Sequence, residues 1–342
     1  MKPSEVVLSV ILALALLAAP VPSDAQQPGK VYRIGWLFSS RPESDSRVCW
    51  RKLSPFRQAW TEAMRERGYI EGQNLAIECR YTEGRSERAQ PFAAELVTLR
   101  VDLIIANNTN QVQAAKAATS TIPIVMWGVI DPVRRGLVAS LARPGANVTG
   151  LTDDAGLGIL GKYLQLLKET VPTASRIASL HPPPSVPGEP TSTDWQRLLE
   201  AEARTLGVAL QPYRLQGPED LEGVFAAMTK ARAEAVLLVP SPFFGLHKPR
   251  IIGLAAQYRL PAMYPDRDDA VAGGLMAYAP DELATARRLV AYVDRILKGA
   301  KPGELPVEQP TEFKLILNFK TAKALGLTIP PTLLLQAEEV IK

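Results

Sequence analysis

Residues 101–127 read VDLIIANNTNQVQAAKAATSTIPIVMW, and this stretch decides the fold. Val101 to Ala106 is a short, nearly unbroken apolar run, and Ile122 to Trp127 is another. Between them, residues 109–118 place small and apolar side chains at helical spacing. A strand covered by helices on both faces of its sheet has no polar side to alternate with, so it reads as continuous hydrophobic sequence. Strand, helix, strand in that order is the βαβ unit of a parallel sheet.

The same alternation continues outward in both directions. Towards the N-terminus it predicts strands at 32–38 and 74–79 and helices near 54–67 and 87–99, and a further strand follows at 147–152. The first helix has Ser54 as N-cap, Pro55 in its first turn, Phe56, Trp60 and Met64 on one stripe, and Gly68 as terminator. Towards the C-terminus come helix 158–171, strand 175–180, helix 193–206, strand 208–214, helix 219–231, strand 235–239, helix 246–258 and strand 261–264. Gly273 to Tyr278 reads as a strand and 281–298 as a long helix ending at Gly299; 305–318 and a helix from Thr321 complete the chain. The expectation is an α/β protein of two doubly wound parallel-sheet lobes, lobe 1 at 31–152 and lobe 2 at 153–275. Extended segments near 150 and 276 join them, and 276–342 is expected to return to lobe 1 as a C-terminal tail. Such a shape has a cleft, and ligands bind open parallel sheets at the carboxyl ends of the strands.

The composition agrees with a folded two-domain chain. Its 342 residues are 46% hydrophobic and 22% charged, which excludes disordered, collagen-like and small disulfide-scaffold classes. The formal charge of +4 is not gathered into a basic run, so no nucleic-acid partner is expected. Residues 1–25 run from Lys2 through the apolar Val6–Ala19 stretch to Pro20, Pro22 and Ser23-Asp24-Ala25. That order predicts a cleavable secretory signal, cut after Ala25. The apolar run is shorter than the ~20 residues that span a bilayer. A periplasmic protein without a stable membrane anchor is therefore expected.

Chemistry-bearing motifs are sparse. Gly156-Leu157-Gly158-Ile159-Leu160-Gly161 fits a dinucleotide fingerprint, but the acidic residue wanted about 20 positions on is replaced by Leu180-His181. The two histidines, His181 and His247, lack partners at metal-site spacing, and no nucleophile elbow is present. No catalytic residue, metal or cofactor is expected. Cys49 lies before the first helix and Cys79 ends the second strand, so both approach one sheet edge. In an exported chain a disulfide between them is expected, two free buried thiols being the other reading.

The edge rule also nominates a ligand shell. Ser39 and Ser40 follow the first strand, Asn107, Asn108 and Thr109 the third, and Val129, Ile130 and Asp131 the fourth. In lobe 2 the matching positions are His181, Ser241 with Phe243, and Tyr264 with Asp266. Hydroxyls and free N–H groups at helix starts suit a ligand carboxylate, Asp266 or Asp268 an amine, and Phe243 and Tyr264 an apolar side chain.

Longer motifs carry a resemblance. They include Gly68-Tyr69-Ile70-Glu71-Gly72-Gln73-Asn74, Asp131-Pro132-Val133, Gly136-Leu137-Val138-Ala139-Ser140-Leu141-Ala142-Arg143-Pro144-Gly145 and Asn147-Val148-Thr149-Gly150. Gly273-Gly274-Leu275-Met276, Lys298-Gly299-Ala300-Lys301-Pro302 and Lys320 to Pro331 continue the series. The chain resembles the tryptophan/tyrosine-type substrate-binding proteins of ABC transporters over nearly all of its exported length. The resemblance implies the type I periplasmic-binding fold, with three hinge crossings, and makes the glycine run at 156–161 the crossing into lobe 2. It further implies a monomer that captures a small molecule, favouring an amino acid or related small carboxylate, aromatic ones included. The partner implied is an inner-membrane ABC permease. Asn107-Asn108-Thr109 departs from the family's small Gly-Thr step, and His181 to Pro190 from its Asn-Pro loop. Two other classes share these features: a receptor subunit reporting to a membrane kinase or chemoreceptor, and an exported α/β enzyme. A DNA-binding regulator of the sugar-repressor type is excluded, because the leader runs directly into strand one without a helix-turn-helix.

Overall fold

The computed structural model describes residues 30–39, 49, 55–153, 158–183 and 192–342. The leader, the Ser54 cap, Ser40, Gly156, Leu157 and most of the 181–190 loop lie outside them. Lobe 1 begins with β1 (Tyr32–Phe38), α1 (Pro55–Glu66), β2 (Leu75–Tyr81), α2 (Ala89–Thr98), β3 (Leu103–Asn107), α3 (Asn108–Ala118), β4 (Ile124–Val129) and β5 (Val148–Thr152). Its strands form one parallel sheet in the order β2-β1-β3-β4-β5.

The two-sided burial explains why the quoted stretch is apolar throughout. Ile34, Trp36, Leu103, Ile105 and Val125 pack on one face with Phe56, Trp60 and Met64 of α1. Leu37, Ile104, Ala106, Ile124 and Met126 pack on the other, against Ala93 and Leu96 of α2 and Val112 and Ala115 of α3. Each fully buried aliphatic side chain contributes about 1.5–3 kcal/mol. Gly150 fixes β5 against β4. At φ 131° it lies where side chains are strained, and a Cβ there would stand 2.3 Å from the Met126 carbonyl oxygen.

Lobe 2 contains α4 (Gly158–Thr170), β6 (Arg176–His181), α5 (Ser192–Thr205), β7 (Ala209–Arg214), α6 (Leu221–Lys230), β8 (Ala235–Leu238), α7 (Pro242–Leu246), α8 (Lys248–Gln257), β9 (Ala262–Tyr264), α9 (Arg267–Val271) and β10 (Met276–Pro280). The helix expected at 246–258 is thus two helices meeting at His247. Pro249 is compatible only with a first turn, so α8 starts afresh there. The chain then forms α10 (Glu282–Leu297), β11 (Phe313–Asn318), α11 (Phe319–Leu325), α12 (Pro331–Gln336) and β12 (Ala337–Ile341).

This last part corrects the expected return of 276–342 to lobe 1. Only α10 and the segment up to Glu308 join that lobe: Leu289, Val290, Val293 and Ile296 pack against the α1 face, and Glu308 bridges to Leu151. β10, β11 and β12 belong to the lobe 2 sheet, ordered β12-β11-β10-β9-β8-β6-β7, with β10 and β11 antiparallel. Leu315 and Leu317 face one lobe 2 core and Ile316 the other, so this run requires an interior strand with both faces covered.

Three crossings therefore join the lobes: after β5, between β10 and α10, and from Glu308 to β11. They run side by side. Glu308 N–H donates to Gly150 O (3.0 Å), Thr152 N–H to Glu308 O (2.9 Å) and Asp281 N–H to Glu312 O (3.0 Å). Asp281 also caps α10 and pairs with Lys314 at 2.9 Å. In lobe 1, Cys49 and Cys79 are joined by a disulfide with Cα atoms 5.5 Å apart. No helix among the described residues is long and apolar enough to cross a membrane.

Candidate ligand-binding cleft

Strand ends and helix starts of lobe 1 bring Ser39, Asn107, Asn108 and Asp153 together. Asn107 Oδ1 accepts from Ser39 N–H (2.9 Å), and Asn108 Nδ2 donates to Ser39 Oγ (2.6 Å). Asn108 opens α3 with φ 63°, a left-handed conformation that asparagine tolerates better than most residues. Next to it, Gly128 stands at φ 72° where β4 shifts register against β5. A Cβ on Gly128 would lie 3.4 Å from Asn108 Oδ1 and 3.6 Å from Asp153 Oδ2. These two acceptor oxygens therefore converge over the bare glycine.

The other nominated residues of lobe 1 divide between cleft and scaffold. Thr109 is the half-buried second residue of α3. Val129 is fully buried in the lobe 1 core, which corrects its assignment to the ligand shell: its carbonyl, holding Thr152 Oγ1 (2.5 Å) and Asp153 N–H (2.9 Å), is its contribution. Ile130 packs against the lobe 2 core, and its carbonyl accepts from Arg135 Nε (2.6 Å). Asp131 caps its own turn, accepting from Arg134 N–H at 3.1 Å.

In lobe 2, His181 ends β6 at 2% exposure, its Nε2 2.9 Å from Ser179 Oγ and its Nδ1 without a partner among the described residues. Burial, and then Arg214, push its pKa down to about 4, so the imidazole is neutral at pH 7. Ser241 caps α7 by accepting from Phe243 N–H, and Phe243 tilts over His247 at 4.6 Å. Tyr264 does not wall the cleft as expected. Gly274, lacking a Cβ, opens a slot against which the ring lies, and the side chain is buried in the lobe 2 core.

Asp266 immediately precedes α9 and is open to the cleft. Its carboxyl is held above the usual range by the protein around it, with Lys248 opposing and Asp268 adding to the rise. Asp153 shares that environment: surrounding protein and then the charge of Asp266 push it up to about 7. The charge of Asp266 in lobe 2 thus reaches Asp153 in lobe 1. Asp269, paired with Lys248 at 3.2 Å, is raised to about 6, chiefly by burial and then by Asp266. Glu282, at the second crossing, is raised to about 7 by burial and Asp268 against the pull of Arg267. Arg267 itself is turned to Glu339 of β12 through two bonds of 2.7 Å.

Sequence reasoning missed Asp153, Gly128 and Tyr163. Tyr163 of α4 has its hydroxyl pKa driven well up by burial and by the charges of Asp266 and Asp153; its ring meets Tyr278 edge-on at 6.3 Å. The edge rule, applied to the residue after the 147–152 strand, would have found Asp153. On the far side of the cleft the lobes touch: a Cβ on Gly84 would lie 2.8 Å from Leu246 Cδ1. The arrangement offers acceptors from both lobes, a geometry suited to holding a small polar molecule.

Comparison with known proteins agrees with this architecture. A family model described as ABC transporter substrate binding protein matches residues 52–341. A tyrosine-binding protein of Clostridioides difficile strain R20291 is 27% identical over 279 residues, covering 80% of this chain and 77% of that one. The crystal structure of a conserved domain protein from Vibrio cholerae superposes with a TM-score of 0.77 at 26% identity, covering 91% of this chain and all of the other. The ABC domain in complex with L-Trp from Streptococcus pneumonia gives 0.76 at 23% identity, over 91% and 99% of the two chains. With the family match running through both lobes to the end of β12, the chain belongs to the ABC transporter substrate binding proteins, with their type I periplasmic-binding fold.

Proposed function

We propose that this protein captures an amino acid, aromatic ones included, in the cleft between its lobes outside the cytoplasmic membrane and delivers it to an ABC permease. The observation that carries the reading is the pairing of unlike halves. Lobe 1 presents the Ser39 hydroxyl and the Asn107 amide, and lobe 2 the Asp266 carboxyl. An amino acid carries one group for each. The names of the relatives, tyrosine-binding and L-Trp-bound, support the same ligand class.

The mechanism is binding without chemistry. A ligand meets one lobe, the three crossings bend, and contacts from both lobes favour the closed form that the permease reads. Residues 1–25 would direct export and be removed in the course of it, and the protein would act as a monomer. A thermal-shift screen of the purified protein against amino acids, nucleosides, sugars and aromatic acids tests this. A ligand at a hundred times its Kd stabilises by about 2.7 kcal/mol, a readily measured shift. The expected outcome is a shift with aromatic or other amino acids; a shift with sugars or nucleosides alone would overturn the reading.

A further inference from the structure

We propose that Asp153, on the first hinge crossing, is a ligand-binding residue that takes the ligand's ammonium group together with Asn108 and Asp266. The inference rests on the reading of the cleft as the ligand site and assigns within it the residue that selects for an amine.

Three features of lobe 1 support this. Asn108 commits its Nδ2 to Ser39 Oγ at 2.6 Å, so Oδ1 is the atom it turns toward Gly128. Asp153 is held by its own N–H on the Val129 carbonyl at 2.9 Å, which brings Oδ2 to the same place. Gly128 leaves the space between them unfilled, since its missing Cβ would stand 3.4 Å from one oxygen and 3.6 Å from the other. Two acceptors aimed at one small volume call for a donor, and an ammonium has three donors and no acceptor.

The fourth feature lies across the cleft. Asp266 is the charge that Asp153 senses from lobe 2, and Tyr163 of α4 senses both. Without a ligand, ionising Asp153 beside the Asp266 charge is disfavoured. A cation between them reverses the sign, so the amine that is recognised also draws the lobes together. Because Asp153 directly follows β5 at the first crossing, the contact is made where the lobes pivot. Among the described residues, Arg267 is turned to Glu339, while Lys248 pairs with Asp269 and also acts on Asp266.

The test is calorimetric titration of the wild type and Asp153→Asn with L-tyrosine, tyramine and 3-(4-hydroxyphenyl)propionate, and with L-tryptophan, tryptamine and indole-3-propionate. Asparagine keeps the backbone bond and the side-chain size but removes the charge. A charged hydrogen bond lost in this way weakens the amine-bearing compounds about 10- to 100-fold. The propionates should keep their affinity or gain it, and the variant should melt at or above the wild-type temperature because a repulsion has gone. Equal weakening of amines and propionates, or no weakening of either, overturns the assignment and leaves the cleft reading intact. So does a wild type that prefers the propionates. A wild type that binds none of the six compounds overturns the aromatic amino-acid ligand, and this assignment with it.

Discussion

His181 shows what a single buried side chain contributes. Its imidazole is enclosed at 2% exposure, and its pKa is pushed from 6.5 down to about 4. The folded state therefore stays neutral at this site while the unfolded chain takes up a proton below pH 6.5. The stability this provides is present above 6.5 and is lost as pH falls towards 4, by about 2–3 kcal/mol in all. Asp153, Asp269 and Glu282, with raised values, contribute in the opposite direction, so the measurement is a comparison of chains. Melting curves of the wild type and His181→Gln between pH 7 and pH 4.5 should diverge, the variant losing less; parallel curves would refute the assignment. Asn107 and Asn108 were legible as cleft-edge candidates because they follow a strand. Asp153 follows one too, but its meaning depends on Asp266, more than a hundred residues away in sequence. Val129 and Tyr264 obeyed the same edge rule and failed it, since the rule locates a backbone position and not the direction of a side chain.

At the scale of elements, the alternation of apolar runs with helical patterns placed the strands of lobe 1 within one or two residues. The disulfide acts at this level. Cys49 lies ahead of α1 and Cys79 on β2, and the bond closes a loop with a sequence separation of 30. Constraining that loop in the unfolded chain stabilises by about 3–4 kcal/mol. Cys79→Ser, or reduction of the wild type, should lower the midpoint of denaturant unfolding by a corresponding amount; an unchanged midpoint would show that the bond contributes nothing. The split of α7 from α8 was less legible, although Pro249 supplies its cause. Alpha-helical period alone runs through His247 without a break, and only the position of the proline relative to a first turn separates the two helices.

For the molecule as a whole, function depends on how easily the three crossings bend and on what holds the lobes when they meet. Leu246 of α7 rests against Gly84 of lobe 1 on the side of the cleft away from the hinge, with 44% of its surface still exposed. Leu246→Ala removes part of that contact, worth about 1 kcal/mol of apolar burial. Ligand dissociation in the variant should be about fivefold faster, with association and melting temperature unchanged, by stopped-flow fluorescence. An unaltered dissociation rate would mean that the lips do not contribute to closure. The sequence by itself determined the two-lobed α/β plan, the strands and helices of lobe 1 and most of those in lobe 2, and the strand edges that face the cleft. Those properties follow from local periodicity and from turn chemistry, which neighbouring residues carry between them. Only the tertiary structure decided that 313–342 completes the lobe 2 sheet while α10 and the segment up to Glu308 join lobe 1. Leu315, Ile316 and Leu317 would read as a buried strand in either lobe, and the choice is made by which sheet has an open edge and which core has room. The influence of Asp266 on Asp153 was decided in the same way, because a charge interaction between lobes is set by distance in space and leaves no pattern along the chain.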